Sequence, residues 1–438
     1  MHHPHRSALL AAGVGVALLA SACGGSTGTS SGGDAAAGYD RTATVTITWW
    51  TGQTTDAEKV AEKLAAEYHQ AHPNVTIDVS TGASTTDDLL TKLSAGFTSG
   101  TYPDISYTYG SWAGELAASG RTQNLASYVQ DPAFAWSEFP AAARATATVD
   151  GKVIGIPALV DNLALIYNKG LFDAAGLPYP TDQWSWDDFR TAAKRLTDKA
   201  RNIYGTAYSV SGSEDTTWHL WPLLWQRGGQ ILDGKKPLFN SDAGVQALAY
   251  LRSLAVDDKS MYLDQTDQRY GPLFNDGRIA MMLSGPWAML DLKATPVKYG
   301  VVQLPGFNGD HQTVSGPDVW ALFDHKDANR AGASRDFITW LTSKQIDPKW
   351  NLTVGNLPLR STEQSSPEYA AYVKDYPSGQ KFMENLANAK QARPTVAGYA
   401  ELSRYVGEAI AAVLQGAQDP KQALDEAARK AAGALEDS

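Results

Sequence analysis

The residues of this sequence best suited to chemistry are tryptophans, tyrosines and carboxylates that follow predicted strands. The chain has 13 Trp and 19 Tyr against 11 Phe, and the rings of Trp and Tyr combine a large apolar face with a polar group. Neighbouring carboxylates accept hydrogen bonds from a ligand or, as a pair, serve as general acid and base. The candidates stand in these stretches: Trp50-Thr51-Gly52, Gly110-Ser111-Trp112, Asp161-Asn162, residues 211–218, Ser284-Gly285-Pro286-Trp287 and Gly316-Pro317-Asp318.

An alternation of strands and helices must position these stretches. Residues 45–49 alternate apolar and polar side chains, as a strand does. Thr55 followed by Glu58, and Ser185 followed by Asp188, have the spacing of helix N-termini. Strands and helices continue to alternate beyond residue 150, and the chain is mostly helical from about residue 334. This order predicts an α/β fold with mostly parallel sheets, in which ligands bind beyond the carboxyl ends of the strands.

The composition excludes several classes of protein. A length of 438 residues with 43% hydrophobic residues predicts two or three domains with a sizeable core. The formal charge of −10, with acids and bases interspersed, argues against a nucleic-acid partner. The single cysteine excludes an internal disulfide and a Cys-based zinc cluster. Without an HExxH motif or a phosphate-binding Gly-rich loop, we expect neither a metal nor a cofactor.

Residues 1–22 predict a lipoprotein signal peptide. A polar, weakly basic start precedes an apolar run from Ala8 to Ala20, which is too short for a stable membrane span. The run ends in Leu19-Ala20-Ser21-Ala22-Cys23, which resembles a bacterial lipobox, with Ala20 where the commonest lipobox has Leu. The resemblance implies lipidation of Cys23. The alternative is an ordinary signal peptide cleaved nearby.

Residues 23–39 are rich in Gly, Ser and Thr and predict a flexible tether. A lipid on Cys23 would then hold the folded body at the outer face of the bacterial cytoplasmic membrane. We therefore expect an extracytoplasmic protein whose membrane contact is the lipid anchor.

Two consecutive segments resemble the signature of family 1 extracellular solute-binding proteins, the sugar-binding components of ABC importers related to maltose-binding protein. They are residues 151–157 and Leu163-Ala164-Leu165-Ile166-Tyr167-Asn168-Lys169. The strict signature requires a particular residue type at a fixed distance after Phe172, and in this sequence that residue stands one place away. Further similar blocks follow in order: 225–230, 274–282 running into Gly285-Pro286-Trp287-Ala288, 299–306, Arg393-Pro394 with Tyr399, and 419–424.

The resemblance implies the two-lobed, type II periplasmic-binding-protein fold, with a ligand cleft between lobes joined by a multi-crossing hinge. One lobe would comprise residues 40–145 and 303–350, and the other residues 146–302 and 351–438. It also implies a protein that is not an enzyme. Such a protein captures a small-molecule carbohydrate by lobe closure and delivers it to the membrane permease of an ABC importer. We expect a monomer.

A carbohydrate needs flat aromatic faces for its C–H groups and fixed polar groups for its hydroxyls. The resemblance places Trp287 on a pyranose ring; the alternative is a core tryptophan at a helix start. Trp50 is assigned to the ligand because Trp49, on the opposite strand face, is assigned to the core. Trp221 and Trp225 share a helical stripe, which favours the core. The predicted ligand-binding residues are Trp50, Ser111, Trp112, Asp161, Asn162, Trp218, Trp287, Asp318, Trp320, Arg393 and Tyr399.

Two alternatives remain at this point. The same acids and aromatics would suit a secreted glycoside hydrolase, for which Asp104, Asp161, Glu214, Asp215 and Asp318 are available. The second alternative is a binding protein for a solute other than a sugar. Turnover of a substrate would distinguish the hydrolase from either binding protein.

Overall fold

The computed structural model describes residues 38–438, so the predicted signal peptide, Cys23 and nearly all of the predicted tether lie outside the described residues. The strands are β1 Val45–Trp50, β2 Val75–Ser80, β3 Ile105–Thr108, β4 Thr148–Val149, β5 Lys152–Val153, β6 Gly155–Leu159, β7 Ala164–Asn168, β8 Thr206–Ser209, β9 Leu232–Asp233, β10 Lys236–Pro237, β11 Met261–Asp264, β12 Met281–Ser284, β13 Tyr299–Val302 and β14 Asp318–Leu322. The α-helices are α1 Thr55–Ala71, α2 Thr86–Ser99, α3 Ala113–Ala118, α4 Ala141–Thr146, α5 Lys169–Ala175, α6 Trp186–Leu196, α7 Glu214–Trp218, α8 Trp221–Trp225, α9 Asp242–Arg252, α10 Tyr270–Asn275, α11 Ala288–Lys293, α12 Ala328–Leu341, α13 Asp347–Trp350, α14 Pro367–Asp375, α15 Gly379–Asn385, α16 Tyr399–Leu414 and α17 Pro420–Glu436.

The first lobe is built on a five-stranded sheet in the order β2-β1-β3-β14-β6. Strands β1, β2 and β3 are parallel, whereas β14 is antiparallel to both β3 and β6. Its core includes Trp49, which lies 5.2 Å from Trp320 and 5.2 Å from Phe337 between ring centroids. Each such fully buried side chain contributes about 1.5–3 kcal/mol through removal of apolar area from water.

The second lobe contains a mixed set of strands. β8 and β11 are parallel, while β12, β7 and β13 form an antiparallel group in that order. A bridge between Tyr204 and Ile279 joins the two groups at their edge. The prediction of mostly parallel sheets is therefore wrong for this lobe. The strand responsible is β7, which lies between β12 and β13 and runs antiparallel to both.

Strand pairing and the two cores locate the crossings between the lobes. β6 belongs to the first sheet and β7 to the second, so the first crossing lies after Leu159 rather than at residue 146. β13 and β14 bracket the second crossing in the same way. Leu304 and Val314 still belong to the core of the second lobe, so this crossing lies between Val314 and Asp318. The third crossing lies between Leu359, in the core of the first lobe, and Phe382, in a core of the second. The expected boundaries at 146, 303 and 350 are thus all early, because a buried strand shows the same apolar pattern in either sheet.

The helix starts show which capping signals were informative. Ser185 and Asp188 form a full capping box at the start of α6, as their spacing indicates. At α1 the N-cap is Thr54 rather than the expected Thr55, and the Thr54 side chain makes no capping hydrogen bond. Within residues 38–438, no helix is both long enough and apolar enough to cross a membrane.

Candidate functional site

A cavity of about 510 Å³ lies between the two lobes. It forms where the carboxyl ends of β1, β3, β8, β11 and β12 meet, the place at which open α/β sheets bind ligands. The first lobe contributes Gly52, Thr54, Ser84, Thr85, Thr86, Asp87, Tyr107, Tyr109 and Asp318 to its lining. The second lobe contributes Ser211, Ser213, Glu214, Asp215, Trp218, Thr266, Asp267, Gln268, Tyr270 and Trp287, the first two crossings contribute Asp161 and Gly316, and the segment after the third crossing contributes Arg393.

The structure brings five of the predicted residues together in this lining, namely Asp161, Trp218, Trp287, Asp318 and Arg393. The other predicted ligand residues lie elsewhere, and each has a physical reason. They are Trp50, Ser111, Trp112, Asn162, Trp320 and Tyr399.

The three predicted tryptophans outside the cavity pack within the first lobe. Trp320 is fully buried against Trp49 and Trp350, so the side of β14 that carries it faces the core. Trp112 is buried beside Tyr109, at 4.7 Å between ring centroids. The ring of Trp50 lies under the ammonium of Lys92, 4.4 Å from its centroid, rather than facing the cavity.

The polar residues predicted wrongly are structural. Asn162 donates to the carbonyl oxygen of Phe382 at 2.9 Å and accepts from Asn385 at 2.7 Å, which ties together two segments at the hinge. Ser111 is buried in the turn Gly110–Trp112. Tyr399 is fully buried behind the lining, where its hydroxyl donates to Glu214 Oε1 at 3.0 Å. Its contribution to the site is to hold Glu214.

A buried ion-pair network joins the two lobes through the chain segment after the third crossing. Arg393 Nη1 donates to Glu214 Oε1 at 2.9 Å, and its Nη2 lies 3.4 Å from Asp318 Oδ1. Asp318 also accepts from the Tyr107 hydroxyl and from the Gly110 backbone N–H. Burial alone would lower the pKa of Arg393, but the charges of Glu214 and Asp318 outweigh it and raise the pKa above its usual value. The guanidinium thus remains charged and is held in one position.

Asp161 sits beside this network on the first crossing. Its carboxylate accepts from the backbone N–H of Gly316 at 2.9 Å, which fixes the turn that precedes β14. Burial, followed by the charge of Asp318, raises the pKa of Asp161 well above its usual range. The environment therefore favours the protonated form of Asp161.

Trp218 and Trp287 form an aromatic wall on the second lobe, with ring centroids 5.6 Å apart and planes inclined by 30°. The indole of Trp287 folds back over its own chain, and a Cβ at position 285 would lie 1.9 Å from its Cζ3. Glycine at that position thus permits the conformation of the ring. A near-parallel pair of indoles offers the flat apolar area that a ring-shaped ligand requires.

Asp87, in the first turn of α2, belongs to the first lobe, and its carboxyl lies against the second lobe. The backbone N–H of Glu214 lies near this carboxyl and favours its charged form, which lowers the pKa of Asp87. Burial and then the charges of Glu214 and Asp267 raise the pKa of Asp87 to about 7. Burial likewise raises the pKa of Asp215 to about 6, against the lowering effect of His219. Sequence reasoning missed Asp87, because nothing near it in the chain indicates a partner in another lobe.

Other lining residues were missed for a simpler reason. Asp267, Gln268 and Tyr270 follow β11, which the sequence analysis did not identify as a strand. Tyr107 and Tyr109, at the carboxyl end of β3, were not selected as ligand residues, although the rule of strand ends applies to them. Asp267 accepts from Ser211 at 2.8 Å and also from Ser213, so this side of the cavity is a polar cluster.

Comparison with known proteins agrees with this geometry. The family model of the bacterial extracellular solute-binding proteins matches residues 63–377. An sn-glycerol-3-phosphate-binding periplasmic protein of Rhizobium meliloti is 22% identical over 414 residues, covering 91% of this chain and 95% of that protein.

Two solved structures are similar over nearly the whole chain. The cyclic alpha-maltosyl-1,6-maltose binding protein of Arthrobacter globiformis is 27% identical, with a TM-score of 0.73 over 90% of this chain and all (100%) of the other. An ABC substrate-binding protein of Listeria monocytogenes, solved with cycloalternan, is 24% identical, with a TM-score of 0.81 over 89% of this chain and 99% of the other. The two-lobed fold is thus confirmed.

Members of this family are substrate-binding proteins of ABC transporters and not enzymes, which removes the glycoside hydrolase alternative. The family match covers most of the chain and coincides with a cavity lined from both lobes. The chain belongs to the bacterial extracellular solute-binding proteins.

Proposed function

We propose that the protein captures a carbohydrate between its lobes and delivers it to the permease of an ABC importer. The observation that carries this proposal is the aromatic wall of Trp218 and Trp287 facing a lining rich in carboxyls and hydroxyls. Apolar ring faces bind the C–H side of a sugar, and carboxylates accept from its hydroxyls. The 27% identity to a cyclic maltosyl-maltose binding protein supports the same ligand class.

Lobe closure is the proposed mechanism of capture. The lining residues come from both lobes and from the crossings, so separation of the lobes would divide the site. A ligand that contacts both halves binds the closed form better than the open form and therefore shifts the equilibrium towards closure. The closed form would then be the species that the permease recognises, with the protein acting as a monomer.

Isothermal titration against mono- and oligosaccharides tests the proposal directly. We expect a saturable heat of binding for at least one saccharide, with the ligand recovered unchanged afterwards. If no saccharide of the panel gives a heat of binding while a peptide or a polyamine gives a clear one, the sugar assignment is overturned. The second candidate, a solute other than a sugar, would then take its place.

The proposed location is the outer face of the cytoplasmic membrane, with a lipid on Cys23 and residues 23–39 as the tether. Cys23→Ser should release the protein into the soluble fraction and abolish incorporation of labelled fatty acid. Ser30→Ala, a matched change in the tether, should leave the protein in the membrane fraction. If Cys23→Ser remains anchored, the lipid assignment is wrong.

A further inference from the structure

The ionisable groups that line the cavity are nearly all acidic. The lining contains the carboxyls of Asp87, Asp161, Glu214, Asp215, Asp267 and Asp318, and among the described residues Arg393 is the only basic side chain in it. A low-dielectric cleft of one sign attracts ligands of the opposite sign and repels those of its own.

Arg393 is already engaged and is not available to an anionic ligand. It pairs with Glu214 at 2.9 Å and Asp318 at 3.4 Å, and its guanidinium lies 5.9 Å from the ring centroids of both Tyr109 and Trp218. A phosphate would carry a charge of about −1.5 to −2 into this site. It would meet several carboxyls and would have to break a buried pair to find a cation.

The acidic side of the cavity retains unused hydrogen-bond acceptors. Among the described residues, Asp215 Oδ2 and Asp267 Oδ1 are buried and have no hydrogen-bond partner. The other oxygen of Asp215 lies 3.4 Å from His219 Nδ1, and the other oxygen of Asp267 accepts from Ser211 and Ser213. Both carboxyls lie in the lining near the Asp87 carboxyl, whose principal charged neighbours include them. An ammonium group has three donors and no acceptor, so it matches such a group of carboxyl oxygens better than a hydroxyl does.

The aromatic residues of the lining favour a cation as well. Trp218 and Trp287 present indole faces, and Tyr109 and Tyr270 lie in the same lining. Ring faces attract a cation through their quadrupole, most strongly for Trp and where water is excluded. Carboxyls and aromatic faces are thus two independent features that select the same charge.

We propose that the cleft selects a carbohydrate that carries a protonated amine, binding it in preference to the neutral sugar and rejecting the phosphorylated one. This inference rests on the proposed function, since it assumes a saccharide ligand. The ammonium would lie against Asp215 and Asp267, with the sugar ring on the wall of Trp218 and Trp287. The relative that binds sn-glycerol-3-phosphate would then differ from this protein in ligand charge.

Isothermal titration at pH 7 with matched ligands tests the proposal. The pairs are glucosamine with glucose, galactosamine with galactose, and the fully deacetylated chitosan trisaccharide with cellotriose. Glucose 6-phosphate and sn-glycerol 3-phosphate serve as anions. We expect the amine to bind about tenfold more tightly than its neutral partner in at least one pair, with no binding of either phosphate.

Variants connect the preference to the named carboxyls. Asp215→Asn and Asp267→Asn should each reduce the preference for the amine towards unity, while affinity for the neutral partner changes less. Asp233→Asn, an exposed carboxylate on the hairpin of β9 and β10, should leave the preference intact. A thermal unfolding curve shows whether each variant is folded, and Asp87→Asn replaces any variant that is not.

The outcomes separate this inference from the proposed function. Neutral sugars that bind as tightly as their amines, or a phosphate that binds tightly, overturn the charge preference and leave the carbohydrate function in place. A preference that survives all the cavity variants overturns the assignment to these carboxyls. Binding of no saccharide overturns both proposals.

Discussion

Arg393 and Glu214 form a buried ion pair at 2.9 Å, with side chains only 6% and 7% exposed, and the pair connects the segment after the third crossing to the helix that lines the second lobe. The same guanidinium reaches Asp318 of the first lobe, so one side chain contacts carboxylates from both halves of the cavity. Tyr399 and Ser403 add hydrogen bonds to Glu214, and the network thereby fixes the geometry of the cavity floor.

Removal of the Arg393 charge should therefore destabilise the whole protein. Arg393→Met leaves Glu214 and Asp318 buried without a counter-charge, which costs about 3–5 kcal/mol for a buried pair. The midpoint of urea unfolding, followed by circular dichroism, measures the effect. Arg404→Met is the matched control, because Arg404 is 46% exposed and its pairs with Glu401 and Glu408 lie on the surface of α16. Such surface pairs contribute about 0–1 kcal/mol, and an equal loss in both variants would contradict the role of burial.

Trp287→Ala should weaken ligand binding with little effect on folding. The indole is half-buried and forms one side of the aromatic wall, so its loss removes contact area for a ring-shaped ligand. We expect a loss of about 1–3 kcal/mol in binding free energy, as for a buried aromatic anchor. Titration calorimetry with the ligand from the saccharide panel measures it. Trp136→Ala, which removes a half-buried tryptophan packed on Phe134 and Phe139 outside the cavity, should leave the affinity unchanged.

Asp87 should make capture of a neutral ligand depend on pH. Its carboxyl lies across the cavity from Glu214, Asp215 and Asp267, and the backbone N–H of Glu214 favours its charged form. Burial first, and then these charges, raise the pKa of Asp87 to about 7, so closure favours its protonated form. Stabilisation of the closed form is fully present below the ordinary pKa of an aspartate and is lost as the pH rises through 7.

The affinity for a neutral sugar should accordingly fall between pH 5.5 and pH 8.5. The affinity for an amine-bearing sugar should rise from pH 5.5 to about pH 7, above which the amine itself begins to lose its proton. Asp87→Asn should flatten the part of either profile that lies near pH 7. A profile that Asp87→Asn leaves unchanged would assign the pH dependence to another carboxyl.

Particular residues show how far the sequence determines the site. Trp287 lies in the cavity lining, where Gly285-Pro286, a strand end followed by a helix start, placed it through a local signal. Trp320 was expected in the ligand site but lies in the core. Alternation of side chains along a strand does not show which face of that strand the opposite layer covers. Asp87 and Asp267 were missed because their roles depend on contacts between lobes or on β11, whose apolar residues Met261, Tyr262 and Leu263 do not alternate.

The fold was easier to predict than its internal boundaries. The alternation of strands and helices and the motif around Tyr167 and Asn168 sufficed for the two-lobed class, which the family match confirms. The crossings were misplaced because β6 and β7 are equally buried and successive in the chain, although they belong to different sheets. Their separation depends on pairing with β14 and β13, which follow more than a hundred residues later.

Glu363 should lower the stability of the protein as the pH rises. Its carboxyl is buried near Asp347, and burial followed by that charge raises the pKa of Glu363 to about 10. The unfolded chain loses this proton near the ordinary pKa of glutamate, whereas the folded chain retains it, so the stabilising contribution present at low pH is lost progressively up to about pH 10. The thermal unfolding midpoint should fall from pH 5 to pH 9, and Glu363→Gln should make this fall shallower because its amide never ionises. Glu368→Gln, an exposed glutamate on α14, should follow the wild-type profile, and an equally shallow profile in both variants would exclude Glu363 as the source.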